Sequence, residues 1–436
     1  MRNFGLRFSA LRQGALLSTI VVAAGACAPK QPANAASTEP AAGPAGTSSP
    51  GGAAPAGGTK APVDFEKLAA RESEGLSPTS VTGPEKKWQF RVPSKGAPTV
   101  TPGNGTTNVE VPIGSELAVH CEVLEGDFDA AGTIQNILSD AGKHVEMKRV
   151  APAAVRVQRG DPSLFVNAVY LAPTPQGKAL GELKIGALVT PGRTAVCVHD
   201  EIGFEKTFDS VADSLFESLT RADGPLSKPS YREASIAKLG PLAVGFEARR
   251  LVTVSGKRMM VTTTAMVVPA SESTVTWVDG SEAEKIDTDD LLEAGEYARA
   301  TNGQVEMIAS VKRKKGATYS YQAQVRGKKA EGEFTVTGQK GLSTRAADAK
   351  KLAPGARAKG AFKWESSSYL PDVDPTNGTT MTYTRAAADP PRGMTVSMGK
   401  QRMTGLLDEH GAFERVDLPL GPATLRIERA FVEGKL

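Results

Sequence analysis

Val244-Gly245-Phe246-Glu247-Ala248-Arg249-Arg250-Leu251-Val252-Thr253-Val254, then Ser255-Gly256, then Met259 to Val268, is the stretch that decides the fold. Both arms are rich in β-branched and apolar residues, and Ser-Gly between them is hairpin chemistry. Outward from it the pattern repeats. Thr274–Val278 ends at Asp279-Gly280, and Gln304–Lys312, Thr318–Arg326 and Glu331–Thr337 follow as a meander with glycine turns. Asp287–Glu293 reads as a short helical stretch. Arg345–Gly360 lacks periodicity and holds Pro354-Gly355, which makes 345–360 a candidate division. Beyond it, Thr379–Thr384, Met394–Met398, Ala412–Leu418 and Ala423–Val432 are strand-like. Regular short strands with turns predict a β-rich domain over 231–436, either a sandwich or a half-barrel.

Upstream, over 63–223, helices join the strands. Lys86–Val92 and Asn108–Pro112 alternate around the turn Gly103-Asn104-Gly105, and Glu116–Val123 follows. Asp127 is placed to cap a helix whose Ile134, Ile137, Leu138 and Ala141 share a face and which ends at Gly142. Strands are predicted at His144–Val150, Ser163–Ala172, Leu180–Val189 and Thr194–His199. The unit closes with a helix whose Phe204, Phe208, Val211, Leu215, Phe216 and Leu219 form one stripe. The predicted fold class is therefore α+β, an antiparallel-sheet α/β sandwich followed by an all-β region. Trp88-Gln89-Phe90-Arg91-Val92-Pro93 as an opening strand, with Ala195-Val196-Cys197-Val198-His199 leading into the last helix, resembles the Mog1/PsbP-like fold over about 84–222. That resemblance implies a docking or accessory module and hence binding. Gly405–Phe413 through Leu418-Pro419-Leu420-Gly421 resembles the closing hairpin of transthyretin-like accessory domains.

The N-terminus addresses location. Arg2, Arg7 and Arg12 precede an apolar run, Ala15–Ala24, that is too short to remain a transmembrane helix, so 1–26 reads as a secretory signal peptide. It ends in Ala24-Gly25-Ala26-Cys27, which resembles the lipobox of bacterial lipoproteins, although Ala24 stands where that class most often has Leu. The resemblance implies acylation of Cys27 and, with Ala28 rather than Asp following, the outer membrane, periplasmic face, with surface exposure left open. Two or more acyl chains hold stably where one binds only marginally. A plain secreted protein is the alternative. From Ala28 to Pro62 the chain is nearly all Ala, Pro, Gly, Ser and Thr with no Leu, Ile, Val or aromatic residue, so 27–62 is expected to be a disordered tether.

The formal charge is +4, of which Arg2, Arg7 and Arg12 contribute three, so a general case for nucleic-acid binding is missing. Charge is uneven: nine acids stand between Glu272 and Glu296, and fourteen bases between Lys312 and Lys363. Solvated faces are the plain reading. The sharper one makes Lys312, Arg313, Lys314, Lys315, Lys328 and Lys329 an anion-binding surface for lipid headgroups or cell-wall polymer. Beyond Cys27, the even pair Cys121 and Cys197 is most simply a disulfide in an oxidising compartment, with two buried free thiols as the alternative.

Chemistry-bearing groups are sparse. His120, Cys121, Cys197 and His199 include metal-ligand types, but adjacent strand residues point to opposite faces, so no metal and no cofactor is expected. His199-Asp200-Glu201 before a helix reads as dipole complementation before it reads as acid–base equipment. Asp372–Gly378 departs from the EF-hand pattern and reads as a turn. Met260 and Met266, like Met394 and Met398, share strand faces that could line a lipid cavity. The sequence thus predicts a non-enzymatic, membrane-anchored binding or scaffold component that engages another envelope protein or cell-wall polymer. A carrier or chaperone for a hydrophobic ligand is the alternative.

Overall fold

The computed structural model describes residues 65–436 except 127, 176, 191–192, 223–227, 391 and 400. Residues 1–26 and 27–62, read above as a signal peptide and a tether, and with them Cys27, lie outside the described residues, as does Asp127; the helix that Asp127 is expected to cap has Asp129 at its N-cap position.

Short helix α1 (Phe65–Ala69) precedes β1 (Ser77–Thr82), β2 (Trp88–Ser94), β3 (Thr99–Pro102), β4 (Thr106–Pro112) and β5 (Ala118–Leu124). Helix α2 (Ala130–Ala141) follows, then β6 (Glu146–Gln158), β7 (Asp161–Thr174), β8 (Gly177–Thr190) and β9 (Arg193–His199). Helix α3 (Glu205–Ser218) and the short β10 (Thr220–Arg221) complete this part. Strands β3-β4-β5-β9-β8-β7-β6 form one antiparallel sheet, and β1-β2-β10 a smaller one. Strict alternation gives the larger sheet two apolar faces. Leu183, Ile185 and Ala187 of β8 pack toward α2, whereas Leu188 joins Phe165, Cys121 and Cys197 under α3. The stripe Phe208, Val211, Leu215 and Phe216 fills that side, and Trp88, Phe90 and Val92 of the small sheet cover the helix from beyond. The stripe is what the sequence showed; the extra layer was not.

The second part is built from β11 (Tyr231–Leu239), β12 (Leu242–Val254), β13 (Lys257–Pro269), β14 (Val275–Ile286), β15 (Leu292–Thr301), β16 (Gln304–Lys315), β17 (Thr318–Val325) and β18 (Lys328–Thr335). Helix α4 (Arg345–Arg357) intervenes before β19 (Phe362–Ser368), β20 (Thr379–Arg385), β21 (Gly393–Met398), β22 (Gln401–Leu407), β23 (Phe413–Leu420) and β24 (Ala423–Gly434). These fourteen strands make one antiparallel sheet, running from β18 back to β11, across to β24 and on to β19. The last strand of the chain lies against the first strand of this sheet, Tyr231 opposite Gly434. Leu292 N donates to Leu342 O (2.9 Å) and Ser343 N to Ser367 O (2.6 Å), so a short segment spans the space between β15 and β19 and the sheet curls around α4.

Three expectations are corrected here. Residues 345–360 are no division, because strands on both sides belong to one sheet and the stretch is mostly helix. Asp287–Glu293 is not helical; the Asp287 carboxylate accepts from Asp289 N (2.8 Å) and Leu291 N (2.9 Å), a side-chain turn that competes with helix. Asp279-Gly280 ends nothing, for β14 runs through it to Ile286.

The two parts share a core. Phe246, Ala265, Val267 and Trp277, on the outer face of the large sheet, pack with α2 and with Leu164, Val166 and Ile185. Asp279 reaches across to accept from Ala131 N (3.0 Å) and Gly132 N (2.7 Å), capping α2 from the other part. Asp161 pairs with Arg193 on its own sheet and with Arg250 on the large one.

Candidate functional site

The inner face of the large sheet carries charge where a core would carry hydrocarbon. Glu233 on β11 stands opposite Arg249 on β12, Arg249 opposite Thr262, Thr262 opposite Glu282, and Glu282 opposite Tyr297. Directly paired residues share a face, so the row runs along one wall. Glu233 is 1% exposed. It accepts from the Tyr231 hydroxyl, from Arg249 Nη1 (2.9 Å) and from Arg345 Nη2 (3.1 Å), the last from the first residue of α4. Burial by itself would raise this carboxyl; Arg345, Arg249 and the Tyr231 hydroxyl prevail and hold it down at about 2.

Helix α4 is tied at both ends. Thr344 caps its start and donates to Asp290 O (2.6 Å), while Lys350 pairs with the Asp290 carboxylate. Asp348 accepts from Ser343, Ser366 and Tyr383 (2.7 Å from the last), and burial raises its pKa. At the far end, buried Arg385 donates to Gly355 O (2.7 Å), Ala358 O (2.8 Å) and Gly360 O (2.9 Å), filling the orphan carbonyls. The helix packs closely because its buried stripe is Ala346, Ala349, Leu352 and Ala356. At Gly411 (φ +82°) a Cβ would lie 2.1 Å from Ala349 O, so glycine is required for that approach.

Among the described residues, no cation is bonded to Glu282 or Glu284 of the wall. Glu284 accepts from the Tyr297 hydroxyl (3.0 Å), and burial, with Glu282 beside it, raises it to about 7. Solvent reaches Glu282, yet the surrounding wall still raises its pKa, with Glu247 adding to the effect. Farther round the sheet, Arg299, Glu306, Met307, Val325, Arg326 and Asp372 line a separate hollow of about 100 Å³. Chemically, the arrangement holds compensated charge that pins α4, and it presents one acidic group to water. The signal for it was available: Glu233, Glu247, Arg249, Glu282 and Glu284 occupy one parity along their strands, in phase with buried Tyr231 and Leu251.

This chemistry fixes a pH dependence. Burial is the first cause in raising Glu122, Asp279 and Glu284 to about 7 and Asp200 to about 6, from ordinary values of 4.5 or 3.8. Folded pKa values above the unfolded ones give stability that is complete below about pH 4 and lost as pH rises through the folded values. His199, lowered to about 4 by burial, acts in the opposite direction below 6.5, as does His120, but they are outnumbered. Thermal unfolding at pH 5.5 should therefore occur at higher temperature than at pH 8; equal midpoints, or the reverse order, would refute this reading.

The residues singled out from sequence distribute as follows. Cys121 and Cys197 stand opposite each other on β5 and β9 and form a disulfide, with Cα atoms 4.0 Å apart. His199 faces α3, bonds Ala118 O through Nδ1 (3.0 Å) and lies edge-on to Phe204, so it is closed off from any substrate. Glu201 pairs with Arg71, and α3 takes its capping carboxylate from Glu72, which accepts from Lys206 N and Thr207 N. Asp372 pairs with Arg299, and Asp374 accepts from Thr376 N within its own turn. The six basic residues are not gathered. Lys312 to Lys315 end β16 whereas Lys328 and Lys329 open β18 at the other end of β17. Arg313 turns to Asp287 (2.6 Å) and Lys314 approaches Glu333 (3.8 Å). Lys312, Lys315, Lys328 and Lys329 are exposed.

No known protein family matches the chain, and no curated protein does. Among solved structures, a β-barrel-like protein of the domain of unknown function DUF1849 from Brucella abortus aligns over 48% of this chain and 98% of its own, at 13% identity and a TM-score of 0.33.

Proposed function

We propose that the protein is a lipid-anchored component of the outer membrane, facing the periplasm, that binds or scaffolds another envelope protein or cell-wall polymer. The observation that carries this reading is the filled inner face of the large sheet. Met394 is buried with Leu352, Ala356 and Tyr383 beneath α4, Met260 packs with Tyr231, Leu251 and Ile286, and Met266 with Ala237, Val244 and Leu425. These three methionines thus serve three separate clusters, while Met398 is half-buried outside them, and the space a carrier would give to its ligand holds a helix and an ion-pair network. A hollow of about 330 Å³ beside the small sheet is lined mainly by polar residues, among them Ser80, Thr82, Gln89, Arg91 and Arg159. Large rigid sheets tied to each other offer surface, which is what a scaffold uses.

Two measurements test the proposal. Cells fed a clickable fatty acid should label the wild-type chain and not Cys27→Ser; label on the variant, or none on the wild type, overturns the anchor. Crosslinking of the full chain in cells should then yield a discrete adduct with an envelope protein or with peptidoglycan. Native mass spectrometry that finds a solvent-extractable ligand instead would transfer the assignment to a hydrophobic carrier.

A further inference from the structure

Two neighbouring hairpin tips differ in kind from the rest. Leu239-Gly240-Pro241-Leu242 joins β11 to β12, and Leu420-Gly421-Pro422-Ala423 joins β23 to β24. Each is a two-residue Gly-Pro loop with the glycine at φ +60°, as a type II′ turn requires. Leu239 is paired with both Leu242 and Leu425, so the tips lie side by side at one end of the sheet. Leu242 is 46% exposed and Leu420 45%, and Pro241, Pro419 and Pro422 are exposed around them. Other turns of the same sheet, Ser255-Gly256, Asn302-Gly303 and Arg326-Gly327, are polar. Turns are ordinarily polar because their backbone meets water, so two adjacent uncharged Leu/Pro tips form a wedge suited to an apolar medium.

We propose that these paired tips insert into a phospholipid surface and orient the body on it. The proposal rests on the lipid-anchor reading, and three features select a bilayer as the occupant. Lys238, Arg402, Arg415 and Arg426 stand behind the tips on one face of the sheet against Asp417 and Glu428, an excess of positive charge that matches anionic headgroups. The first described residues lie toward the same end. Val150 N meets Ser273 O near the tips and Asp161 meets Arg250 toward the opposite end, so both sheets share this direction. The end of β9 points that way, and Arg71 O accepts from Phe204 N (2.6 Å) just beyond it. Cys27 is 38 residues before Phe65, a separation that spans up to roughly 130 Å and leaves the tips free to touch the bilayer holding the anchor.

The test uses the mature full chain purified from cells and reconstituted in phosphatidylethanolamine/phosphatidylglycerol vesicles containing brominated acyl chains. Leu242→Trp and Leu420→Trp should show blue-shifted emission that the bromines quench. Val254→Trp, at an equally exposed position (43%) on the opposite end of β12, should show neither. Native Trp88, Trp277 and Trp364 are common to all variants. Quenching no greater at 242 and 420 than at 254 overturns the proposal, and so do crosslinks that join the tips of two copies. The mass of the mature chain separates the two readings: an unacylated chain whose tips are still quenched refutes the anchor and keeps the insertion, whereas an acylated chain with unquenched tips does the reverse.

Discussion

Glu233→Ala should destabilise the protein by about 3–5 kcal/mol, the cost typical of breaking a buried ion pair from one side. The substitution removes the acceptor that Arg249 and Arg345 both use and that the Tyr231 hydroxyl also bonds. The loss is large because the partners stay behind: Arg249 keeps Glu247, but Arg345 loses its bonded carboxylate while α4 holds it in place. Urea unfolding at pH 7 reads the effect, and a double-mutant cycle with Arg345→Met should return a coupling of about 0.5–3 kcal/mol. A change under about 1 kcal/mol would mean that water already compensates these charges and that the network does not pin the helix. The depressed pKa of Glu233 sets the acid limit: its contribution is complete above 4.5 and disappears as pH falls toward 2.

The second large effect belongs to the disulfide. Cys121 and Cys197 are separated by 76 residues, and closing a loop of that length stabilises by about 4 kcal/mol in the chain-entropy treatment. Both sulfurs are buried under α3 with Phe165, Leu188 and Val211, so the double alanine variant also loses packing. The Cys121→Ala/Cys197→Ala chain is expected to unfold at markedly lower denaturant concentration and with a steeper slope, because the unlinked unfolded chain is more expanded. Thiol labelling after unfolding in denaturant, without reductant, should leave both positions unmodified, whereas buried free thiols would then react; label at either one would show the bond to be absent in cells.

How much of this was legible depended on which residues carried the pattern. The Phe204–Leu219 stripe and the Val244–Val268 hairpin were readable because bulky apolar residues recur at the period of their element. Helix α4 was not, since its buried stripe is mostly alanine, it contains Pro354-Gly355, and it is held by contacts from Glu233, Asp290 and Arg385 that lie far away in sequence. Strand β15, Leu-Glu-Ala-Gly-Glu-Tyr-Ala-Arg-Ala-Thr, is poor in strand formers and owes its conformation to neighbours on both sides. The cysteine pairing was legible because Cys121 and Cys197 are an even pair once Cys27 is set aside. The charged wall was legible only in part: its acids and bases share one parity along each strand, but the register that sets them face to face joins strands far apart in sequence.

Strand β24 has a consequence for biogenesis. It occupies a central place among fourteen strands and pairs with β11, so half of the large sheet has no neighbour to join until Ala423–Gly434 is available. A chain emerging N-terminus first must present Ala423–Gly434 before this sheet can close, and such distant pairings form slowly. During that interval β11 presents an open edge, the kind of surface that recruits stray strands. Chains that stop short of Ala423 should therefore be recognised as unfolded and degraded, which makes β24 a check that this domain has been made in full.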